Sequence, residues 1–293
     1  MKSGFVSIVG RPNTGKSTLI NAIVNEKIAI VSNIAGTTRN TIQGVYHGDD
    51  FQIVFVDTPG IAKPVDKLGK KLNASSYEAL EDIDVILFVV DAAAGLGRGD
   101  KQILEVLKRE STPVILVLNK IDKLTKEGIL NAINTYNELF EFADIIPVSA
   151  LKKDNIDRLI ELTKTYLRDD IKYYEDEVIT NTDPKFMIQE LVREKILNLT
   201  NEEVPHNITT VLTSYHEKSN VIEVSVDIIV SRDNLKKIII GKQGSMLKTI
   251  GVEARKDIEH LLGKQVYLEL FVRTVKNWRN KDRYLSELGF DEL

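Results

Sequence analysis

The sequence predicts an α/β domain with a mainly parallel sheet, followed by a smaller α+β domain of order α-β-β-α-α-β. Its 293 residues exceed the ~100–200 residues of a typical single domain. Up to about residue 170, short β-rich apolar runs alternate with amphipathic segments, as in proteins with parallel sheets. After residue 184 the spacing changes to one helix, a strand pair, two helices and a strand.

Five strands and four helices follow from periodicity in the first domain, residues 1–170. The strands are Phe5–Val9, Phe51–Val56, Val85–Val90, Val114–Leu118 and Ile145–Pro147, and the helices are Leu68–Leu80, Lys101–Glu110, Lys126–Phe140 and Ile156–Leu167. Parallel sheets bind ligands at the carboxyl ends of their strands, so we expect a site there.

A charged, poorly periodic stretch at residues 171–183 predicts a linker, and the second domain then spans residues 184–293. Its predicted helices are Pro184–Leu199, Asn234–Ile240 and Ser245–Leu262, and its strands are Ile208–His216, Val221–Val230 and Val266–Val275. We find no internal repeat or biased tract that would suggest another architecture.

Composition excludes several classes of protein. There are no cysteines, which excludes disulfides, thiolate metal sites and a cysteine nucleophile. No apolar run approaches the ~20 residues needed to span a bilayer. The N-terminus enters a strand directly, without the pattern of a targeting signal. We therefore expect a cytoplasmic protein without a transmembrane segment.

The net charge of −4 hides a strong asymmetry. Residues 171–231 carry 5 Lys and Arg against 11 Asp and Glu, whereas residues 232–283 carry 13 against 6. The second stretch is thus a candidate surface for a phosphate backbone, although a solvated helix face would look the same on charge alone.

A phosphate-binding loop follows the first strand and precedes a helical stretch, which is the context that the P-loop pattern requires. The predicted cradle comprises Gly10, Arg11, Pro12, Asn13, Thr14, Gly15, Lys16, Ser17 and Thr18. Backbone N–H groups surround the phosphates, Lys16 reaches the β- and γ-phosphates, and the Ser17 hydroxyl binds Mg²⁺.

Two further segments predict that the base is guanine. Asn119, Lys120, Ile121 and Asp122 follow the strand Val114–Leu118, and Ser149, Ala150 and Leu151 follow the fifth strand. A carboxylate at Asp122 can accept from the N1–H and the exocyclic amine of guanine, whereas adenine would leave this charge unpaired. The Ala150 N–H could donate to the guanine O6.

A third segment, Asp57, Thr58, Pro59 and Gly60, follows the strand Phe51–Val56. Its carboxylate can hold Mg²⁺ through water, and the Gly60 N–H can sense the γ-phosphate. A Thr hydroxyl from Thr37 or Thr38 would complete the metal shell only while the γ-phosphate is present, which makes that loop a switch.

In order and spacing these segments resemble GTPases of the translation-factor-like class. The resemblance implies GTP, GDP and Mg²⁺ as ligands. The family's Thr-Thr-Arg pattern favours Thr38 over Thr37 as the threonine that binds Mg²⁺ together with Ser17 and Asp57. Ile61 stands where many relatives have a water-orienting Gln, so slow hydrolysis is expected, carried by Lys16, Thr38, Gly60 and Asn13. In relatives with a hydrophobic residue there, an Asn at the position of Asn13 often helps to bind K⁺. Here it could instead only brace the loop.

The segment Gly241, Lys242, Gln243, Gly244 and Ser245 lies between two predicted helices and resembles the loop of a KH domain. Two glycines let the chain approach a sugar-phosphate backbone, and the adjoining groove takes about four unpaired nucleotides. Lys248, Arg273, Lys276 and Arg279 are further candidate RNA contacts. For Trp278, stacking on RNA and packing under the tail are both open.

One GTPase domain joined to one C-terminal KH domain is similar to the Era family over essentially the full length. The resemblance implies binding near the 3′ end of 16S ribosomal RNA, assistance to assembly of the 30S subunit, and partial association with the inner membrane face. The leading hypothesis is a GTP-driven RNA chaperone. The alternatives are a constitutive RNA-binding scaffold with a mainly structural nucleotide, and a signalling GTPase that binds a protein, which the Gly241–Gly244 loop and its charge disfavour.

Overall fold

The computed structural model of the chain describes residues 1–34, 36–61 and 64–287. Its first domain has a six-stranded sheet of order β2-β3-β1-β4-β5-β6. The strands are β1 (Lys2–Val9), β2 (Ile42–His47), β3 (Phe51–Asp57), β4 (Val85–Asp91), β5 (Val114–Asn119) and β6 (Asp144–Pro147). All neighbours are parallel except β2 and β3, which confirms the predicted fold class.

Helices cover both faces of this sheet because its central strands are apolar on both sides. They are α1 (Lys16–Val24), α2 (Lys67–Glu78), α3 (Arg98–Leu107), α4 (Lys126–Asn137) and α5 (Ile156–Lys164). Ile8 and Val89 belong to the core shared with α1 and α5, whereas Val9 and Phe88 belong to the core shared with α3. The alternation of side chains along each strand sends neighbours to opposite layers.

Sequence periodicity did not predict strand β2. The segment contains Gly44 and ends at His47, so its apolar residues do not alternate cleanly. It becomes a strand because it pairs with β3, and Gly44 lets the Ile28 side chain pack close to the backbone, since a Cβ would lie 2.6 Å from Ile28 Cδ1. Tertiary packing therefore decides the structure of this segment.

The second domain is a three-stranded sheet of order β7-β8-β9 with helices packed on it. Its elements are α6 (Pro184–Leu199), β7 (Ile208–Glu217), β8 (Val221–Val230), α7 (Asp233–Ile240), α8 (Ser245–Leu262), β9 (Gln265–Thr274) and a short α9 (Asp282–Glu287). Leu191 and Ile196 of α6 share one core with Ile250 and Ile258 of α8 and with Val226 of β8. The predicted order α-β-β-α-α-β is confirmed, and α9 follows it.

The segment that joins the domains runs along the outer edge of β2. The Val45 N–H donates to Ile179 O over 2.8 Å, and the Gln52 side chain accepts from the N–H groups of Tyr173 and Tyr174. The predicted linker is therefore held on the first domain at this edge. Among the helices of the described ranges, none combines the length and apolar character that a bilayer crossing demands.

Candidate nucleotide site and nucleic-acid groove

The P-loop connects β1 to α1 through a turn that only glycine fits. A Cβ at Gly10 would lie 2.3 Å from Val89 O, and one at Gly15, where φ is +94°, would lie 2.3 Å from Asn119 Nδ2. The turn leaves the first N–H groups of α1 directed at the loop, where they can bind phosphate.

Lys16 is buried inside this loop and held by its carbonyls. The ammonium donates to Gly10 O over 3.1 Å and to Arg11 O over 3.3 Å. Burial lowers the pKa of Lys16, and the charge of Asp57 opposes that shift. The lysine is thus a desolvated cation inside the loop, as stabilisation of phosphate charge would require.

Three oxygen donors meet beside the lysine. The Ser17 Oγ lies 2.9 Å from Asp57 Oδ2 and 2.7 Å from Thr38 Oγ1. Burial raises the pKa of Asp57 to about 6, and its other carboxylate oxygen is buried without a partner among the residues that the structure describes. Hard oxygen ligands with one carboxylate suit Mg²⁺.

The structure distinguishes between the two candidate threonines. Only Thr38 reaches this group of oxygens, because the Thr37 hydroxyl donates to Ile34 O over 2.6 Å and contacts Ser32 Oγ. This geometry supports Thr38 as the residue that would join Mg²⁺.

The segment after β3 closes against the P-loop. A Cβ at Gly60 would lie 2.8 Å from Pro12 N, so glycine permits this approach. The Thr58 hydroxyl donates to Ile8 O, and Ser76 of α2 donates to Pro59 O. Ile61 is buried in the hydrophobic cluster of α3. Its hydrocarbon side chain packs into this core and has no group that could hydrogen-bond an attacking water.

The segments predicted to bind the base lie at the ends of β5 and β6. Asn119 Nδ2 donates to Thr14 O over 2.8 Å, and Asn119 Oδ1 accepts from Ala150 N. Ser149 Oγ donates to Asp122 Oδ1 over 2.5 Å, which orients that carboxylate. Leu151 is largely exposed. Ile121 is buried and packs the segment down.

Lys120 fastens the base segment to the P-loop. Its ammonium donates to Asn13 O over 2.6 Å and to Asp91 Oδ2 over 2.7 Å. Sequence analysis did not identify Asp91, although its position at the carboxyl end of β4 could have indicated a site residue. Asn13 itself has φ +65° and donates from its side chain to Asn33 O over 2.7 Å. The P-loop is thereby joined to the loop that carries Thr38.

The Gly241–Gly244 loop projects between α7 and α8. Gly241 and Gly244 have φ values of +73° and +79°, and a Cβ at Gly241 would lie 2.7 Å from Met246 Cβ. Lys242 and Gln243 are exposed at its tip, where a phosphate backbone can approach. Ser245 and Lys248 are also exposed at the start of α8.

A groove of about 450 Å³ lies beside the loop, between α8 and β9. Leu247, Leu268 and Leu270 line it together with the cations Lys248 and Arg255. Tyr267 lines the same groove and is 56% exposed, and Phe271 further along β9 is 48% exposed. Sequence analysis did not include Arg255, Tyr267 or Phe271 among its candidate RNA contacts. Exposed aromatic residues beside cations are typical of sites that stack unpaired bases.

The structure decides between the two possibilities for Trp278 and gives Arg279 a different partner from the RNA phosphate that sequence analysis expected. Trp278 is fully buried and packs with the guanidinium groups of Arg39 and Arg279 near its ring, so neither ring face is open to a base. Arg279 pairs with Asp66 over 2.5 Å and donates to His206 O. The packing alternative therefore describes Trp278, and Arg279 is an interdomain contact.

The other two candidates in this part of the chain have exposed side chains. Arg273 pairs with Asp227 over 2.6 Å while its side chain is 65% exposed. Lys276 is exposed after β9. Both side chains are therefore accessible from solvent, and their contact with RNA stays a prediction.

These features define a P-loop GTPase domain coupled to a KH domain. Residues 5–120 match the family described as "50S ribosome-binding GTPase", and residues 203–279 match "KH domain". The GTPase Era of Clostridium kluyveri is 47% identical over 291 residues, which cover 99% of each chain. The chain belongs to the Era family of GTPases, whose nucleotide ligands are GTP and GDP with Mg²⁺.

Solved structures agree with this assignment over the whole chain. A crystal structure of Era in complex with MgGDPNP and nucleotides 1506–1542 of 16S ribosomal RNA has a TM-score of 0.97. A crystal structure of a single-residue variant of Aquifex aeolicus Era bound to GDP.AlF4- has a TM-score of 0.96. Both are 40% identical and are covered completely, as is this chain.

Proposed function

We propose that this GTPase is a nucleotide-gated RNA chaperone that binds the 3′ region of 16S ribosomal RNA and assists assembly of the 30S subunit. One observation carries the gating: the loop that brings Thr38 to the metal site is also bonded to the KH domain. The crystal structure of Era in complex with MgGDPNP and nucleotides 1506–1542 of 16S ribosomal RNA supports both the proposed RNA partner and the proposed nucleotide.

The first contact of this loop is made by Arg193 of α6. Its guanidinium is fully buried, donates to Thr37 O, and is held by Glu190 through an Nε–Oε1 bond of 2.8 Å. Since Thr37 precedes the metal-site threonine directly, release of Thr38 after hydrolysis would move the carbonyl that Arg193 holds.

The second contact is made by Arg39, directly after Thr38. Its Nη1 donates to Ile208 O at the start of β7 over 2.9 Å, and its guanidinium lies 5.7 Å from the ring centroid of Trp278. Burial and the neighbouring cations Arg193 and Arg279 lower the pKa of Arg39. The hydrogen-bond acceptor and the aromatic contact of this buried cation both belong to the KH domain. The ordered state of the loop therefore depends on its contact with that domain.

RNA would bind on the other side of the KH domain. The groove beside Gly241–Gly244 accepts about four unpaired nucleotides, with Lys242 and Lys248 on phosphates and Tyr267 against a base. The two sites can be coupled only if the two nucleotide states differ in free energy of RNA binding.

The test is the affinity for a single-stranded oligonucleotide from the 3′ end of 16S rRNA, measured at fixed salt with a non-hydrolysable GTP analogue and with GDP. We expect about tenfold tighter binding with the analogue, or ~1.4 kcal/mol of coupling. In Arg39→Ala the ratio should fall to within twofold, because the loop loses its bond to Ile208. Lys237→Ala, an exposed cation of α7, is the control.

Equal affinities in the wild-type protein would contradict gating and favour the constitutive scaffold. No binding of the oligonucleotide in either state would contradict the RNA assignment itself.

For hydrolysis we propose that Lys16 and the Gly60 N–H stabilise the γ-phosphate charge, that Thr38 completes the Mg²⁺ shell, and that K⁺ binds near Asn13. The bond of Asn13 to Asn33 O supports the last point, because it places an amide and a carbonyl oxygen between the P-loop and the switch loop. Slow turnover is expected since the Ile61 side chain has no group that could hydrogen-bond and orient the attacking water.

We place the protein in the cytoplasm, where small-subunit particles assemble. The peripheral membrane fraction that the family resemblance implies stays a prediction, which co-sedimentation with anionic vesicles would test.

A further inference from the structure

A buried carboxylate on α3 lies outside the nucleotide site and is used by none of its motifs. Asp100 is fully buried, and its Oδ2 lies 3.1 Å from Arg11 Nε, 2.8 Å from Gly97 N and 3.2 Å from the Tyr136 hydroxyl. Its other oxygen has no hydrogen-bond partner within the described ranges. Three bonds to one oxygen, in a site closed to water, hold this carboxylate in one position.

The Arg11 side chain is clamped at two points by the same region. Besides the ion pair with Asp100, its Nη2 donates to Gly95 O over 2.9 Å. The Arg11 side chain passes across Gly97, where a Cβ would lie 2.5 Å from Arg11 Nη1. Because both ends of the guanidinium are bonded, these contacts restrain the side chain and, through it, the backbone of Arg11.

The backbone of Arg11 in turn holds the catalytic lysine. Arg11 O accepts from the Thr14 hydroxyl over 3.1 Å and from Lys16 Nζ over 3.3 Å. A single residue therefore connects the buried carboxylate of α3 to the ammonium group that meets the phosphates.

We propose that Asp100 is a positioning residue for GTP hydrolysis, which acts through Arg11 on the orientation of Lys16. The lysine stabilises charge that develops on the transferred phosphoryl group, and such stabilisation depends on placement. A displacement of about 1 Å can cost about a hundredfold in rate. Loosening the Arg11 carbonyl thus lowers the hydrolysis rate although Asp100 touches neither nucleotide nor metal.

The alternative role is purely structural, since a buried ion pair can also matter only for folding. That role predicts a lower unfolding temperature and an unchanged rate of the folded protein. The two roles are separated by the rate at saturating GTP and Mg²⁺, measured well below the unfolding temperature of each variant.

The experiment compares Asp100→Asn with wild type and with Glu105→Gln, an exposed carboxylate on the same helix. We expect Asp100→Asn to lower kcat about tenfold and Glu105→Gln to leave it unchanged. The same substitution is then made in Lys16→Ala, where affinity for a fluorescent GTP analogue and residual single-turnover rate should change less than twofold, because the group being positioned is absent.

A kcat within twofold of wild type, or equal fold losses with and without Lys16, would overturn the proposal. If Asp100→Asn does not fold, Arg11→Lys takes its place, since a lysine keeps the charge but can reach only one of the two anchors. Arg11→Lys should then lower kcat when Lys16 is present and change the residual rate less than twofold in Lys16→Ala. Equal fold losses with and without Lys16 would overturn the proposal.

Discussion

Two glycine-containing loops of this protein are expected to meet phosphates, and they are built in opposite ways. The P-loop is braced from three sides, by Asn119, Lys120 and the Arg11–Asp100 pair, and its lysine is buried. The Gly241–Gly244 loop carries its lysine exposed at the tip and has open space around Gly244.

The difference follows from the ligands. A nucleotide is a single small anion whose reaction needs fixed charges in a site shielded from water. An RNA strand is a polymer that must enter and leave along a surface, so its contacts are exposed and their strength depends on salt. Rigidity is therefore expected where chemistry occurs, and openness where a chain is bound and released.

The largest effect should come from removing the buried lysine of the P-loop. Lys16→Ala should weaken binding of the GTP analogue and lower kcat by about a hundredfold or more, because the buried positive charge on the phosphates is lost. Affinity for the rRNA oligonucleotide without nucleotide should stay within twofold. Nucleotide titration and filter binding measure both, and a parallel loss of RNA affinity would mean that the two loops are not independent.

A smaller effect is expected at the open loop. Gly244→Asp should weaken RNA binding about tenfold or more, since it adds negative charge and a side chain where the backbone meets phosphate. Gly263→Asp is the matched control, because Gly263 also has positive φ and open space but lies outside the groove, at the end of α8. The GTPase rate of both variants should match wild type, and equal RNA losses would point to backbone strain instead.

The smallest effect is expected from the monovalent cation that we propose binds near Asn13 of the P-loop. Replacing K⁺ by Na⁺ at constant ionic strength should lower kcat several-fold, since the larger ion fits the oxygens expected near Asn13. In Asn13→Ala the rates in the two salts should become equal. An unchanged wild-type rate in Na⁺ would restrict Asn13 to its bond with Asn33 O.

Much of the nucleotide site was predictable because each of its parts is a short motif at the end of a strand. Lys16, Asp57 and Asp122 come together because parallel strands deliver their carboxyl ends to one edge. Strand β2 was missed since its pattern is irregular and its pairing with β3 creates it. Trp278 could not be placed from composition, because a tryptophan beside arginines suits RNA and a buried contact equally well.

The sequence by itself determined the two domains, the guanine nucleotide motifs and the glycine loop of the KH domain, because these depend on residues close together in the chain. Only the tertiary structure decided that Thr38 and not Thr37 reaches the metal site, that Arg39 and Arg193 join the switch loop to the second domain, and that Asp100 clamps Arg11. The interdomain and α3 contacts join residues 89 to 169 positions apart, and no local periodicity encodes such pairs. They follow from which surfaces are buried against each other within the first domain and between the two domains.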